Sequence, residues 1–216
     1  MNIEAIRGYS TMLGFLQLTL RREPEINALQ AQHFSDLFCS APCAGGDGAV
    51  REGLRKLSKW ADGDIGAEAI GLDYRVLFEG PEMPLCPPWE SAFLSADGLL
   101  MQKETIEVRS FYGRYGLMMN SPFNEPDDHI ALELAFCAVL LDRAAEALES
   151  REEAVFQTAM EALRDFTREH LFRWGVEWAR GLSENAATLY YQGIGCLLEG
   201  TLQGLSADLC EADALR

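Results

Sequence analysis

An all-α fold is the class this sequence predicts, on three observations. Apolar residues recur at helical spacing over most of the 216 residues, sustained period-two alternation is nearly absent, and prolines and glycines cut the chain into helix-sized lengths. A chain of this size removes roughly 70% of its unfolded surface from water and lies within the range of one large domain. The expectation is a single-domain helical bundle of roughly ten helices with a candidate hinge near residues 117–125.

Ile3, Ile6, Leu13, Leu16 and Leu20 mark a first helix that reaches Arg22 and is ended by Pro24. Ile26 to Cys39 reads as a second helix, and the loop from Ala41 to Ala49 separates it from a third, Val50 to Trp60. Ala67 to Glu79 is the fourth. Gly80 can take the left-handed conformation that closes it, and Pro81 forbids continuation. Pro84, Pro87 and Pro88 then fix φ in an extended segment that delivers Trp89 and Phe93 at low ordering cost. Leu94 to Met101 supports no single assignment, and Lys103 to Tyr115 reads as a helix closed near Gly116. The run MMNSPFN between Leu117 and Glu125 supplies the hinge.

Pro126 suits a first helical position, with Asp127 and Asp128 favoured by the positive end of the helix dipole and His129 one place later. The helix from Asp127 to Glu149 carries one apolar stripe of Ile130, Leu134, Ala138 and Leu141, while Leu132, Phe136, Val139 and Leu140 fill much of the rest. A helix this apolar belongs in the middle of a bundle, as its spine. Glu152 to Glu169, Leu171 to Leu182 and Ser183 to Ser206 complete the set, with Ser183 and Asn185 as capping candidates. His170, Phe172 and Trp174 should pack a helix junction, and Trp178 and Tyr190 should face the core.

The formal charge of −16, from 34 acidic and 18 basic residues, disfavours nucleic acid and anionic lipid and favours cationic peptides. On composition alone, an acidic surface that only maintains solubility is the favoured reading of the two. None of the cysteines at 39, 43, 86, 137, 196 and 210 forms a Cys-x-x-Cys pair, which suits a reducing compartment. Cys39 and Cys43 could be half of a metal site, but no second pair or histidine accompanies them, so no metal is expected. The apolar run from Met12 to Leu20 precedes Arg21 and Arg22, the reverse of a secretory signal, and is too short to span a bilayer. A cytoplasmic location without stable membrane insertion follows. The same order excludes the chain itself as a twin-arginine export substrate.

Tyr74, Leu77 and Phe78 share one helix face, the ordinary signature of a core. Because Trp89 and Phe93 follow in the proline-stiffened segment, the neighbourhood also gathers enough aromatic surface to line an apolar groove. Asp127, Asp128 and His129 invite an acid/base reading, yet consecutive helical residues diverge by about 100° and do not face one another. Dipole compensation with a capping or packing histidine is the structural alternative. Gly-x-Ser-x-Gly, Walker-type and His-Glu-x-x-His motifs are absent, and the GGDG at Gly45 to Gly48 lacks the strand and lysine of a phosphate cradle. Neither enzymatic activity nor a cofactor is expected.

Leu77, Phe78, Gly80, Pro81, Pro87, Pro88, Trp89 and Ser91 match a pattern of the form LFxGPxxxxxPPWxSxW, and Glu125, Pro126, Asp128 and His129 match EPxDHxxxxL. With HLFRW from His170 to Trp174 and the Tyr190-Tyr191 segment, the sequence resembles the TorD/DmsD/NarJ cytoplasmic chaperones that mature molybdenum-containing redox enzymes. The resemblance covers most of residues 65 to 205. Departures fall at Phe93, the final aromatic of the first pattern, and at acidic Glu82. It implies a chaperone, not an enzyme, that binds the twin-arginine signal peptide of a DMSO/TMAO reductase-type oxidoreductase and holds the precursor for cofactor insertion. The implied peptide site comprises Tyr74, Leu77, Phe78, Pro88, Trp89, Ser91, Phe93, Asp128 and His129, with Glu125, Pro126 and Asp127 as hinge and motif residues. The alternatives are a NarJ-like chaperone serving a non-exported molybdoenzyme and, from another class, a small hydrolase or metal enzyme using His129 with Asp127 or Asp128. A monomer or a dimer made by exchanging helices about the hinge is compatible with either chaperone reading.

Overall fold

A computed structural model describes residues 1–23, 48–63, 66–80, 84–118 and 125–214. The expected helix from Ile26 to Cys39, the cysteines 39 and 43, Pro24, Pro81, Glu82 and most of the candidate hinge lie outside the described residues. Nine α-helices form among the described residues: α1 Ile3–Arg21, α2 Gly48–Ala61, α3 Ala67–Tyr74, α4 Glu90–Leu94, α5 Lys103–Arg114, α6 Ile130–Ser150, α7 Glu153–Phe166, α8 Phe172–Asn185 and α9 Leu189–Ala214. No strand accompanies them there, and the all-α single-domain expectation is met.

Helix α6 is the spine. Most of its length is buried, including Ile130, Leu134, Cys137, Leu141 and Ala144, because apolar residues occupy nearly its whole circumference. It packs between α1 and α7, while α9 packs against both α2 and α8 and also touches α1. One continuous hydrophobic core results, running from Ile6 in α1 to Leu209 in α9. Local signals set several ends: the Asn2 side chain caps α1 by accepting from the Ala5 amide at 2.8 Å, and Arg151, left-handed at φ 60°, terminates α6. Helices α2 and α9 come into backbone contact. A Cβ on Gly53 would lie 2.8 Å from the Gly193 carbonyl, so only glycine fits there.

The structure corrects four boundaries. Helix α6 starts at Ile130 and not at Asp127: Pro126 to Asp128 form a turn, His129 is extended, and the His129 ring accepts from the Ala131 amide as N-cap. Gly80 is extended (φ −44°, ψ 152°) and not left-handed, since residues preceding proline disfavour helix and the helix-end carbonyls find other partners. Between α7 and α8 there is no break but a π turn, Thr167–Leu171, and a second π turn, Arg75–Glu79, extends α3. Ser183 lies inside α8, which runs on to Asn185, and α9 is capped instead by Thr188, whose hydroxyl accepts from the Tyr191 amide at 3.3 Å.

Candidate functional site

The two proline-punctuated stretches meet. After the reversal at Gly80 the chain returns along the end of α3, and the amides of Leu85 and Cys86 donate to the carbonyls of Val76 (3.3 Å) and Leu77 (2.9 Å). These bonds satisfy carbonyls that a helix terminus leaves open. Trp178 in α8 fixes the next residues by donating its Nε1 to the Pro87 carbonyl at 2.9 Å. Two residues further, Trp89 forms an antiparallel bridge with His129, built from Glu90 N to Asp128 O (2.9 Å) and Ile130 N to Pro88 O (2.8 Å). The indole and imidazole rings meet edge to face, 5.7 Å apart.

Three neighbouring polar residues have three different partners. Asp127 pairs with Arg109 at 2.6 Å, and its carbonyl accepts from the Tyr112 hydroxyl. The buried Asp128 carboxylate accepts from the Ser91 amide at 2.8 Å, which caps the short helix α4. His129 accepts at Nδ1 from Ala131, which leaves its proton on Nε2, 3.4 Å from the Glu125 carboxylate. Burial, with Arg21 nearby, lowers the His129 pKa to about 3, so the ring is neutral. No two of these groups form an acid/base pair, which removes the geometry a hydrolase reading requires. Among the described residues no cluster of His, Cys, Asp and Glu could hold a metal.

Behind the bridge lies a buried polar layer that sequence reasoning missed. Glu90 is held by His170 Nδ1 at 2.9 Å and approached by Arg173 at 3.4 Å, which ties α4 to the π turn and α8. Glu133 accepts from the Trp174 indole at 3.4 Å; burial and the nearby Glu90 and Asp128 push its carboxyl well above the usual carboxylate range. Asp73 reaches from α3 to cap α9 through the Thr188 amide (2.8 Å) and hydroxyl (2.6 Å). HLFRW was the only sequence signal for this layer, and it pointed correctly to a helix junction: His170 and Trp174 are buried, with Phe93 packed 5.8 Å from the Trp174 ring.

The implied peptide-site residues are gathered in one neighbourhood but differ in access. Tyr74, Leu77 and Phe78 point inward, with Phe78 5.5 Å from Tyr191 and 6.1 Å from Trp178. Pro88, Ser91, Asp128 and His129 are buried too, as are Pro126 and Asp127, while Glu125, Trp89 and Phe93 are half-buried. Among the described residues the four aromatics therefore do not line one open groove: the core holds Tyr74 and Phe78, and Trp89 and Phe93 are the accessible pair. Trp89 Nε1, Ser91 Oγ and Asp128 Oδ1 are buried without a hydrogen-bond partner among the described residues, so the junction keeps unused polar capacity. An apolar cleft of about 280 Å³ lies elsewhere, between Tyr115, Leu140, Arg143 and Val155. Among the described residues no helix is long and apolar enough to cross a membrane.

Comparison with known proteins gives a consistent picture. The family model described as "Nitrate reductase delta subunit" matches residues 43–180, well over half of the chain. The "Probable Tat proofreading chaperone DmsD" of Haemophilus influenzae is 27% identical over 63% of this chain and 60% of its own. Chaperone protein TorD of Aliivibrio fischeri is 30% identical over 49% and 47%, and the Tat proofreading chaperone DmsD of Salmonella typhi 28% over 66% and 63%. The chain thus spans about half to three-fifths of the length of these relatives, whose names are those of chaperones and not of catalysts. It belongs to the nitrate reductase delta subunit family, with the DmsD and TorD chaperones among its relatives.

Proposed function

We propose that this protein is a cytoplasmic chaperone that binds the twin-arginine signal peptide of a molybdenum-cofactor oxidoreductase of the DMSO/TMAO reductase type and retains the precursor until its cofactor is inserted. The observation that carries the reading is the Trp89–His129 bridge, which unites both motif stretches and leaves Trp89 and Phe93 accessible beside a stiff chain reversal. In this reading Trp89 and Phe93 touch the peptide. Tyr74, Leu77, Phe78 and Pro88 back them, while Ser91, Asp128 and His129, with Glu125, Pro126 and Asp127, hold the reversal in place. Burial of the leader's apolar segment supplies about 25 cal/mol per Å², and the acidic chain attracts its two cations. The chaperone acts as a monomer or as a dimer swapped about residues 117–125, which sedimentation distinguishes.

Calorimetry with a synthetic twin-arginine leader tests it. The peptide should bind, and Trp89→Ala should weaken it about tenfold or more with little change in salt dependence. Failure of the wild-type protein to bind any such leader refutes the reading. The family description supports a second reading, a chaperone for a non-exported nitrate reductase-type enzyme whose leader lacks the arginine pair. A pull-down from anaerobically respiring cells separates them by whether the client's N-terminus carries that pair.

A further inference from the structure

Accessible apolar surface in this region sits on the outward side of α3. Leu72 and Val76, one turn apart on the same face, are 58% and 47% exposed. Leu85, 55% exposed, is brought beside them by its amide bond to the Val76 carbonyl. Single exposed leucines are ordinary, but three such side chains drawn together by helix spacing and by a returning strand of chain form a strip.

The rim of the strip is acidic. Glu68 lies one turn before Leu72 and Glu79 follows Val76; both are exposed. Glu23 packs so closely on α3 that a side chain at Gly71 would collide with its carboxylate, and it pairs with the exposed Arg75 at 3.0 Å. Glu79, Glu125 and Glu23 stand close enough to Tyr74 that, after burial, their charges are what push its phenol upward. Apolar centre and anionic edge complement a segment that presents cations next to an apolar run.

We propose that Leu72, Val76 and Leu85 form a docking strip for the apolar run of the leader, with its cations set against Glu68 and Glu79. This rests on the leader-binding reading and adds to it a surface that faces away from Tyr74, Leu77 and Phe78. Trp89 follows only four residues beyond Leu85 in the chain.

The test is fluorescence anisotropy with a labelled twin-arginine leader peptide, on the full chain. Leu72→Ser/Val76→Ser/Leu85→Ser, all at exposed positions, should weaken binding about tenfold, with Leu72→Ser alone as a milder check if the triple variant does not fold. Glu68→Gln/Glu79→Gln should flatten the salt dependence of affinity, and this effect should vanish for a peptide whose arginines are replaced by glutamine. Affinity of the serine variant within twofold of wild type, while Trp89→Ala still weakens it, overturns the strip and leaves the leader-binding reading intact. A serine variant that changes only the sedimentation of the protein identifies the strip as a self-contact and also overturns it. No binding by the wild-type protein overturns both.

Discussion

At Asp128 the carboxylate is withdrawn from solvent and accepts the Ser91 amide, so its contribution is to end-capping and not to a surface field. Asp128→Ala should cost about 1–3 kcal/mol by orphaning that amide, whereas Asp128→Asn keeps an acceptor and should cost less; urea midpoints at neutral pH measure both. His129 couples the fold to pH. Its folded pKa of about 3 lies below the ordinary 6.5, so the unfolded chain binds more protons between these values and stability from this group falls as pH drops below 6.5. Glu133 acts in the opposite sense. Its raised pKa means the folded state holds a proton that the unfolded state releases above 4.5, so stability from this group is lost as pH rises. His129→Asn, which retains a cap, should remove a stability gain of up to about 1.4 kcal/mol per pH unit, largest near pH 5 and halved by about pH 6.5, and Glu133→Gln should steepen that gain. Denaturant titrations at the two pH values check both, and unchanged slopes would contradict the burial of these groups.

Helices α2 and α9 depend on two glycines meeting. Gly53→Ala should lower the melting temperature by the equivalent of about 1–3 kcal/mol, because the backbone of α9 cannot yield. Gly14→Ala, in α1 with nothing near its Cβ, should raise stability by up to about 1 kcal/mol, and thermal unfolding of the pair gives the contrast. Composition made most helices legible: the apolar circumference of α6 identifies it as the spine, and Gly116, at φ 69°, closes the turn after α5 as its sequence suggests. The start of α6 was not legible, because dipole compensation at Asp127 and Asp128 competes with bonds to Arg109, Ser91 and Glu90 that lie far off in sequence. Nor were the π turns, which have no residue pattern of their own. The motifs located the site, but not which rings face outward. Glu90 with His170, 80 residues apart, and Asp73 with Thr188, 115 apart, carry no local signal at all.

Over the whole molecule, −16 charges should make the proposed capture of a cationic leader strongly dependent on ionic strength. Raising salt well above the physiological level, where the screening length is about 8 Å, should slow association, and a leader with glutamines in place of its arginines should show a flatter response in stopped-flow measurements. The bridge between Trp89 and His129 adds a way to watch that event. Glu90 and Ile130 offer two amide protons that lock distant parts of the chain like the teeth of a zip fastener. Their deuterium uptake, followed together, is a built-in gauge: faster exchange in both once a client arrives would mean that the clasp parts to admit it, and slower exchange that the clasp tightens over its cargo.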